Sequence, residues 1–572
     1  MRINLALLMA LIVSLGTGCG REDAAPQASA KPSAPASTPI VPKPEADVLA
    51  QVHFVGTTQL LADKKATAKL NEVAAMPETT ALRDETLTKL ATAPYRFLRE
   101  KEKLDGQALD EAALIRPLLE DLIPNESYVE LRGPTNPVPD LLLAVHLGKE
   151  RAALWQTNLS TILQNWTGIT VSNLEAEGYS GWELKKHHPP NVIRFIRAGD
   201  WAVFAWGQDD IPALRGWLQK IKADGRPAAV LQEHWLEAWA DWPRLLRQET
   251  AASAPFKLPT MQLGLSMKDD NVRTKAILQF PEPLNLTLPE WKFPTNLIHN
   301  PIVNFTAVRG VAPWLSRIEF FKQLQLDPMP DQFCSWAMSS TPFETYFATP
   351  VAQGTNFVQQ LGTRLIEVEN PKLIDKNWGH LAWDERHTTV NWTGIFPAVA
   401  PYLTPASETN GDFALAGLFP RLPRSGKVPP ELFAQILGHT NQVYYDWEIT
   451  GERVGQWWNL MMLHHLLRGE YFTGANAPAQ KWLAAIGSRV GNAATEATVT
   501  GTHELTIIRK SPLGLMSFEL GYGLAWEMAA GFPLQNEFPR APKTRTRLNG
   551  SQPTPVIAQP GAAQPVVPAT PK

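Results

Sequence analysis

Two periodicities alternate along this chain. Apolar residues three to four apart predict helices, and apolar residues two apart predict strands. Over 46–123 the helical spacing holds: Leu82, Leu87, Leu90, Ala91, Tyr95 and Leu98 form one stripe, and 109–123 carries another. Strand patterning begins at Ser127-Tyr128-Val129-Glu130-Leu131 and continues over 141–147. An amphipathic helix is expected over 149–166, then strands at 181–185, 192–196 and 201–206. Arg197-Ala198-Gly199-Asp200 lies between the last two as a hairpin turn. Helices are expected again at 211–221 and 234–246. A second hairpin follows. Met261, Leu263, Leu265 and Met267 alternate with polar or small residues, 268–271 reverses the chain, and Val272, Thr274, Ala276, Leu278 and Phe280 answer.

The order of elements recurs in the second half. Strands are expected at 333–338 and 345–348, a helix at 356–367, and strand pairs near 379–383 and 388–396. Further strands near 413–418 and 443–450 precede helices at 455–467 and 479–490, and 497–508 and 515–520 read as strands again. The leading strand–strand–helix group repeats at an offset of about 206 residues, which points to a diverged internal duplication. Strands joined by hairpins favour α+β over α/β. The expected architecture is two related units of antiparallel sheet with packed helices, preceded by a helical N-terminal segment and flanked by disordered tails. The helical segment and first unit span 46–280, a Pro- and Asn-rich connector spans 281–300, and the second unit spans 301–533. Residues 513–533 are apolar and hold no Lys or Arg, but Glu519, Glu527 and four glycines argue against a membrane span. Met516, Phe518 and Leu520 alternate with Ser517 and Glu519, as in a half-buried strand.

The tails have a different composition. Residues 20–45 are rich in Ala, Pro, Ser and Lys, with Pro42-Lys43-Pro44 near the end, as in a disordered tether. Residues 534–572 are again Pro-, Ala- and Gln-rich, with Arg540, Lys543, Arg545 and Arg547. Ahead of the tether, Arg2 precedes a mostly apolar run, 3–15, and then Gly16-Thr17-Gly18-Cys19. A positive start, a short apolar core and small residues form a secretory signal. The run is short of the roughly 20 residues a transmembrane helix needs. With Cys19 directly after the small residues, the segment resembles the lipobox-type signal peptide of bacterial lipoproteins. That resemblance implies cleavage before Cys19, lipidation of Cys19, and a membrane partner reached through several acyl chains. Two or more chains anchor stably, each buried methylene contributing about 0.8 kcal/mol. Gly20 after the cysteine, rather than Asp, implies the outer membrane, at its periplasmic face or surface. The body resembles only uncharacterised secreted bacterial proteins of repeated strand and helix units, and takes no site from them.

Composition narrows the function classes. The chain is 44% hydrophobic and 19% charged, enough for sizeable cores. A net charge of −3 argues against nucleic acid as a partner, which calls for a basic footprint. There are two cysteines; with Cys19 lipidated, Cys334 has no disulfide partner and reads as a buried structural thiol. Twenty tryptophans make glycan binding worth testing, although most alternate with apolar residues as core rings do.

No motif of chemistry emerges. Gly178-Tyr179-Ser180-Gly181 lacks the spacing of a nucleophile elbow, and Ser425-Gly426-Lys427 lacks the first glycine of a phosphate loop. His187-His188 reads as a solvated turn, and His464-His465 on a helix point about 100° apart. Asp209-Asp210 and Asp269-Asp270 read as turn or cap residues. The one metal candidate is His380, Asp384 and His387. If 384–386 turns a hairpin, both imidazoles can approach across two strands with the carboxylate at their rim. Against a solvent-facing hairpin this candidate is weak, and no catalytic residue, resident metal or cofactor is assigned. The expectation is a membrane-anchored envelope lipoprotein with a non-catalytic binding or scaffolding role, its partner an envelope protein or a glycan. The alternative is a glycan-binding or glycan-cleaving surface protein, which requires a groove lined by three or more exposed Trp rings.

Overall fold

Period-two patterning builds one long sheet, and the helical stripes cover its faces. The computed structural model describes residues 39–42, 44–98, 106–133, 139–176, 178–187, 190–208, 211–246, 257–339, 344–394, 400–419, 423, 430–467, 477–529 and 531–533. The first half contributes β1 (Val48–Phe54), β2 (Ser127–Arg132), β3 (Asp140–His146), β4 (Ser172–Ala176), β5 (Tyr179–His187), β6 (Pro190–Ala198), β7 (Trp201–Gly207), β8 (Leu236–Asp241), β9 (Thr260–Lys268) and β10 (Asn271–Gln279). The second contributes β11 (Ile302–Arg309), β12 (Gln332–Met338), β13 (Thr345–Val351), β14 (His380–Trp383), β15 (Val390–Thr393), β16 (Tyr402–Glu408), β17 (Gly411–Gly417), β18 (Gln442–Ile449), β19 (Asn492–Gly501) and β20 (Glu504–Ser511). The protein is mixed α+β, and every strand pairing is antiparallel.

Pairing gives the spatial order β4-β5-β6-β7-β3-β2-β1-β8-β9-β10 in the first half. The second half reads β14-β15-β16-β17-β13-β12-β11-β18-β19-β20, the same order. The halves meet where β10 pairs β20, from Val272 opposite Ser511 to Gln279 opposite Glu504. Helix Lys149–Thr167 follows β3, and helix Gly354–Asp375 follows β13 at the matching place.

Helices Pro77–Leu98 and Gly106–Leu122 are inserted between β1 and β2. The first of them reaches the other half. Val73, Met76 and Leu82 pack with Leu483, Ile486, Leu520 and Leu524. Trp482 donates its indole N–H to Thr79, and Lys89 pairs with Glu527 at 2.7 Å. This helical clamp ties the halves together over the sheet face that carries Leu263 and Ala276.

Four sequence readings need correction. Residues 48–54 lie in the segment read as helical but form β1, because partners on both sides, β2 and β8, outweigh local periodicity. Residues 236–241 were read as helix but form β8; Leu236, Ala238 and Ala240 face inward in turn, and only Trp242–Leu245 coils. Residues 497–508 divide into the hairpin β19–β20. Residues 515–520 are not a strand: Ser517–Met528 is a helix, with Leu520 and Leu524 one turn apart toward the clamp and Glu519 accepting from the Met516 N–H. In that run the apolar positions satisfy both periods, and packing against the clamp selects the helix. Among the described residues no helix is long and apolar enough to cross a membrane.

Leu520 is 4% exposed in the clamp. Leu520→Ala is expected to lower the unfolding free energy by about 2–5 kcal/mol, as buried Leu truncations do, in urea titrations.

Candidate binding cleft

Side chains on neighbouring strands share a face when they stand opposite in register. By that rule Gln51 and His53 of β1 share one face with Tyr128 and Glu130 of β2 and Glu237 of β8, and Gly264 of β9 with Lys275 of β10. Val52, Ala238, Leu263 and Ala276 point to the other face, under Leu70. The polar face forms the floor of a cleft of about 600 Å³. Its walls are the loop 228–234, Lys220, and the N-terminal segment from Pro39 to Glu45.

Ion pairs stiffen the floor. His53 Nε2 lies 2.8 Å from Glu126. Burial pushes the Glu126 carboxyl up, but the hydrogen bond and charge of His53, with Arg226 and His146 beyond, hold it below its ordinary value. Tyr128 donates its hydroxyl to Glu130, and burial together with the Glu130 charge raises the phenol pKa. Arg132 bonds Glu130 on one side and reaches Glu45 at 2.6 Å and Asp47 at 3.2 Å on the other. Burial opposes its charge, but the hydrogen bonds to Glu130 and Glu45 prevail and raise its pKa. His234 Nδ1 lies 3.0 Å from Glu237.

The N-terminal segment lines the cleft as a strap that bends at Ile40 and Val41. The backbone N–H groups of Ile40 and Val41 both donate to Gln262 Oε1, at 3.0 and 3.2 Å. Val41 is 3% exposed. Gly264 makes room beneath Ile40: a Cβ there would stand 2.6 Å from Ile40 Cγ2 and 2.8 Å from the His234 ring. Part of the segment read as disordered tether is thus docked. Residues 1–38, Cys19 included, lie outside the described residues.

The cleft lining includes no serine, threonine or cysteine. It offers an apolar seat beside fixed charge pairs, with the Gln262 carboxamide reading two backbone N–H groups.

A second polar cluster lies on the opposite face. Asp446 accepts from Thr306 and Asn304, and Glu448 accepts from the backbone and hydroxyl of Ser517. Both carboxyls are buried, and burial raises both pKa values. Arg453 is affected in the opposite sense, its pKa lowered by burial despite the charges of Glu448 and Asp446. Arg509 bonds Thr495 and Glu519. Ser517 caps this cluster from above, so it is an internal polar joint and not a ligand site.

The sequence candidates fare differently. His380 stands opposite Thr393 at one end of the β14–β15 hairpin, whereas His387 lies in the turn beyond the other end, stacked toward Trp383. Asp384 accepts from the N–H groups of Thr388 and Thr389 and from the Thr388 hydroxyl. The hairpin was foreseen, but its geometry separates the imidazoles and commits the carboxylate to the turn, which overturns the metal candidate. Among the described residues no three His, Cys, Asp or Glu side chains are placed to hold a metal. Cys334 is buried on β12, with its thiol pKa raised by burial. Asp269 and Asp270 occupy the β9–β10 turn with φ of 53° and 54°. Asp209, Asp210 and His188 lie outside the described residues, as do the side chains of His187, His464 and His465. Of the tryptophans, six are buried, Trp378 is exposed and the others are half-buried. Sequence reading missed the cleft because Tyr128-Val129-Glu130-Leu131 looks like a strand with one solvated face.

No protein-family model matches the chain, and no curated protein or solved structure matches it either.

Two outcomes follow from these clusters. Arg132→Ala leaves the Glu130 carboxylate buried without its cation and frees Glu45; a loss of about 3–5 kcal/mol in urea titration is expected, with faster proteolysis of the strap. For Asp446 the folded pKa is raised, so the folded state keeps a proton that the unfolded state releases. Stability therefore falls as pH rises from the ordinary Asp value near 4 through the folded value. Asp446→Asn removes that loss, and its stability relative to the unaltered chain is expected to rise as pH increases above about 4 and to level off once the folded-state carboxyl has ionised.

Proposed function

We propose that this chain is a lipid-anchored cell-envelope protein that binds a short polypeptide segment in the cleft and performs no chemistry on it. One observation carries the reading: the strap is held as a bound peptide is held, with two backbone N–H groups read by Gln262 and Val41 buried. A protein partner fits this seat better than a glycan, because no tryptophan lines the cleft. The envelope location rests on the signal-like segment before Cys19, and an outer-membrane site on Gly20. The two sheet halves, with one strand order between them, are the products of a duplication, and the helices inserted after β1 belong to the first copy alone.

Metabolic labelling with an alkyne fatty acid tests the anchor. Label on the unaltered chain and its sedimentation with membranes are expected, both lost in Cys19→Ala while the folded body is retained. Membrane sedimentation of Cys19→Ala equal to that of the unaltered chain refutes it.

A further inference from the structure

The strap residues read Pro39-Ile40-Val41-Pro42, and one other segment of the chain repeats that pattern: Pro565-Val566-Val567-Pro568, in the C-terminal tail. We propose that the cleft is a receptor for Pro-(Ile/Val)-Val-Pro words and that residues 565–568 of the same chain are its second occupant, exchanging with the strap. This rests on the reading of the cleft as a peptide site.

The contacts that hold the strap do not depend on its being the strap. Gln262 Oε1 takes two consecutive backbone N–H groups, which any non-proline pair supplies. Gly264 and the His234 ring form a seat for a β-branched side chain, and Ile40 occupies it. Val566 in that seat is one methylene smaller, and Val567 repeats the buried Val41. Proline fixes φ near −65° on both sides of the pair, so the word has fewer conformations to lose on docking. Pro533 is the last described residue, and the roughly 30 residues from there to Pro565 span about 30 Å as a flexible coil and about 100 Å fully extended. The strap leads into β1 within a few residues, so its effective concentration is the higher and it prevails at rest.

The test uses the full chain and two fluorescent peptides, one spanning 560–572 and one spanning 36–46, read by anisotropy. Val41→Asp frees the strap, and Val567→Asp removes the competing tail. The tail peptide is expected to bind the Val41→Asp/Val567→Asp chain at least tenfold more tightly than the unaltered chain. Binding to Val41→Asp alone should be intermediate, because its own tail competes. Gln262→Ala added to the double variant should weaken both peptides. If the strap peptide binds and the tail peptide does not, the tail assignment falls and the peptide cleft stands. If neither binds a double variant with an unaltered circular dichroism spectrum, both fall. Should Val41→Asp not fold, a photo-crosslinker at Val230 on the cleft wall of the otherwise unaltered chain decides. Adducts to 565–568 of the same chain are expected; their absence, or adducts only between two chains, overturns the proposal.

Discussion

The antiparallel pairing of β10 with β20 is the constraint on which the rest of the molecule depends. A strand at a sheet edge leaves a row of backbone N–H and C=O groups unpaired, and long edges invite aggregation. Each half ends in a long strand, nine residues in β10 and eight in β20. Joining these two removes both edges at once. The strands left outermost are β4, with five residues, and β14, with four, and short edges are the least hazardous kind. Because equivalent strands pair antiparallel, the halves present equivalent faces to the same side. One side can then be roofed by helices from both halves, and the other can stay open at its centre.

That division explains the two polar clusters. On the roofed side, Glu448 accepts from Ser517 at the start of a clamp helix and Asp446 accepts from Thr306 and Asn304 of β11, so the pair joins that helix to the sheet. On the open side the helix Pro212–Asp224 covers β3, β6 and β7 and reaches Tyr128 of β2, whose ring lies 5.0 Å from that of Trp217. The floor near β1, β8 and β9 has no helix above it. Glu130 and Arg132 are nonetheless buried, because the strap and Glu45 supply the missing cover. The strap is therefore a structural cover, and its removal exposes charge that the floor has arranged for partial burial.

Legibility in the sequence followed the range of the interactions. The hairpin β6–β7 and the hairpin β9–β10 were legible because each is closed by a turn of a few residues with Gly or Asp at the reversal. The helix Lys149–Thr167 was legible from its own stripe and ends at Gly168, in the left-handed region with φ of 70°. β1 and β8 were not legible. They pair with each other across nearly the length of the first half, and neither has a local turn that announces it. The cleft was illegible for the same reason: His53, Glu130, Glu237 and Lys275 come from four strands far apart in sequence, and each alone resembles a solvated polar position. The strap was hidden by its neighbours, since Pro39 to Pro42 sits in a stretch whose composition is that of a tether.

The strap also joins the two ends of the functional reading. If Cys19 carries the proposed lipid, the segment that leads to the membrane and the strap that lines the cleft are one continuous stretch. In that proposal the chain from Gly20 to Thr38, about 20 residues at no more than roughly 3.3 Å each, would hold the body within about 65 Å of the bilayer while the strap is docked. Releasing the strap lengthens the tether and opens the cleft in the same event. Any partner that occupies the cleft therefore also changes how far the body stands from the membrane, and any force that draws the body away from the membrane favours an open cleft. These two effects are linked by a single equilibrium, so each must bias the other by the same free energy.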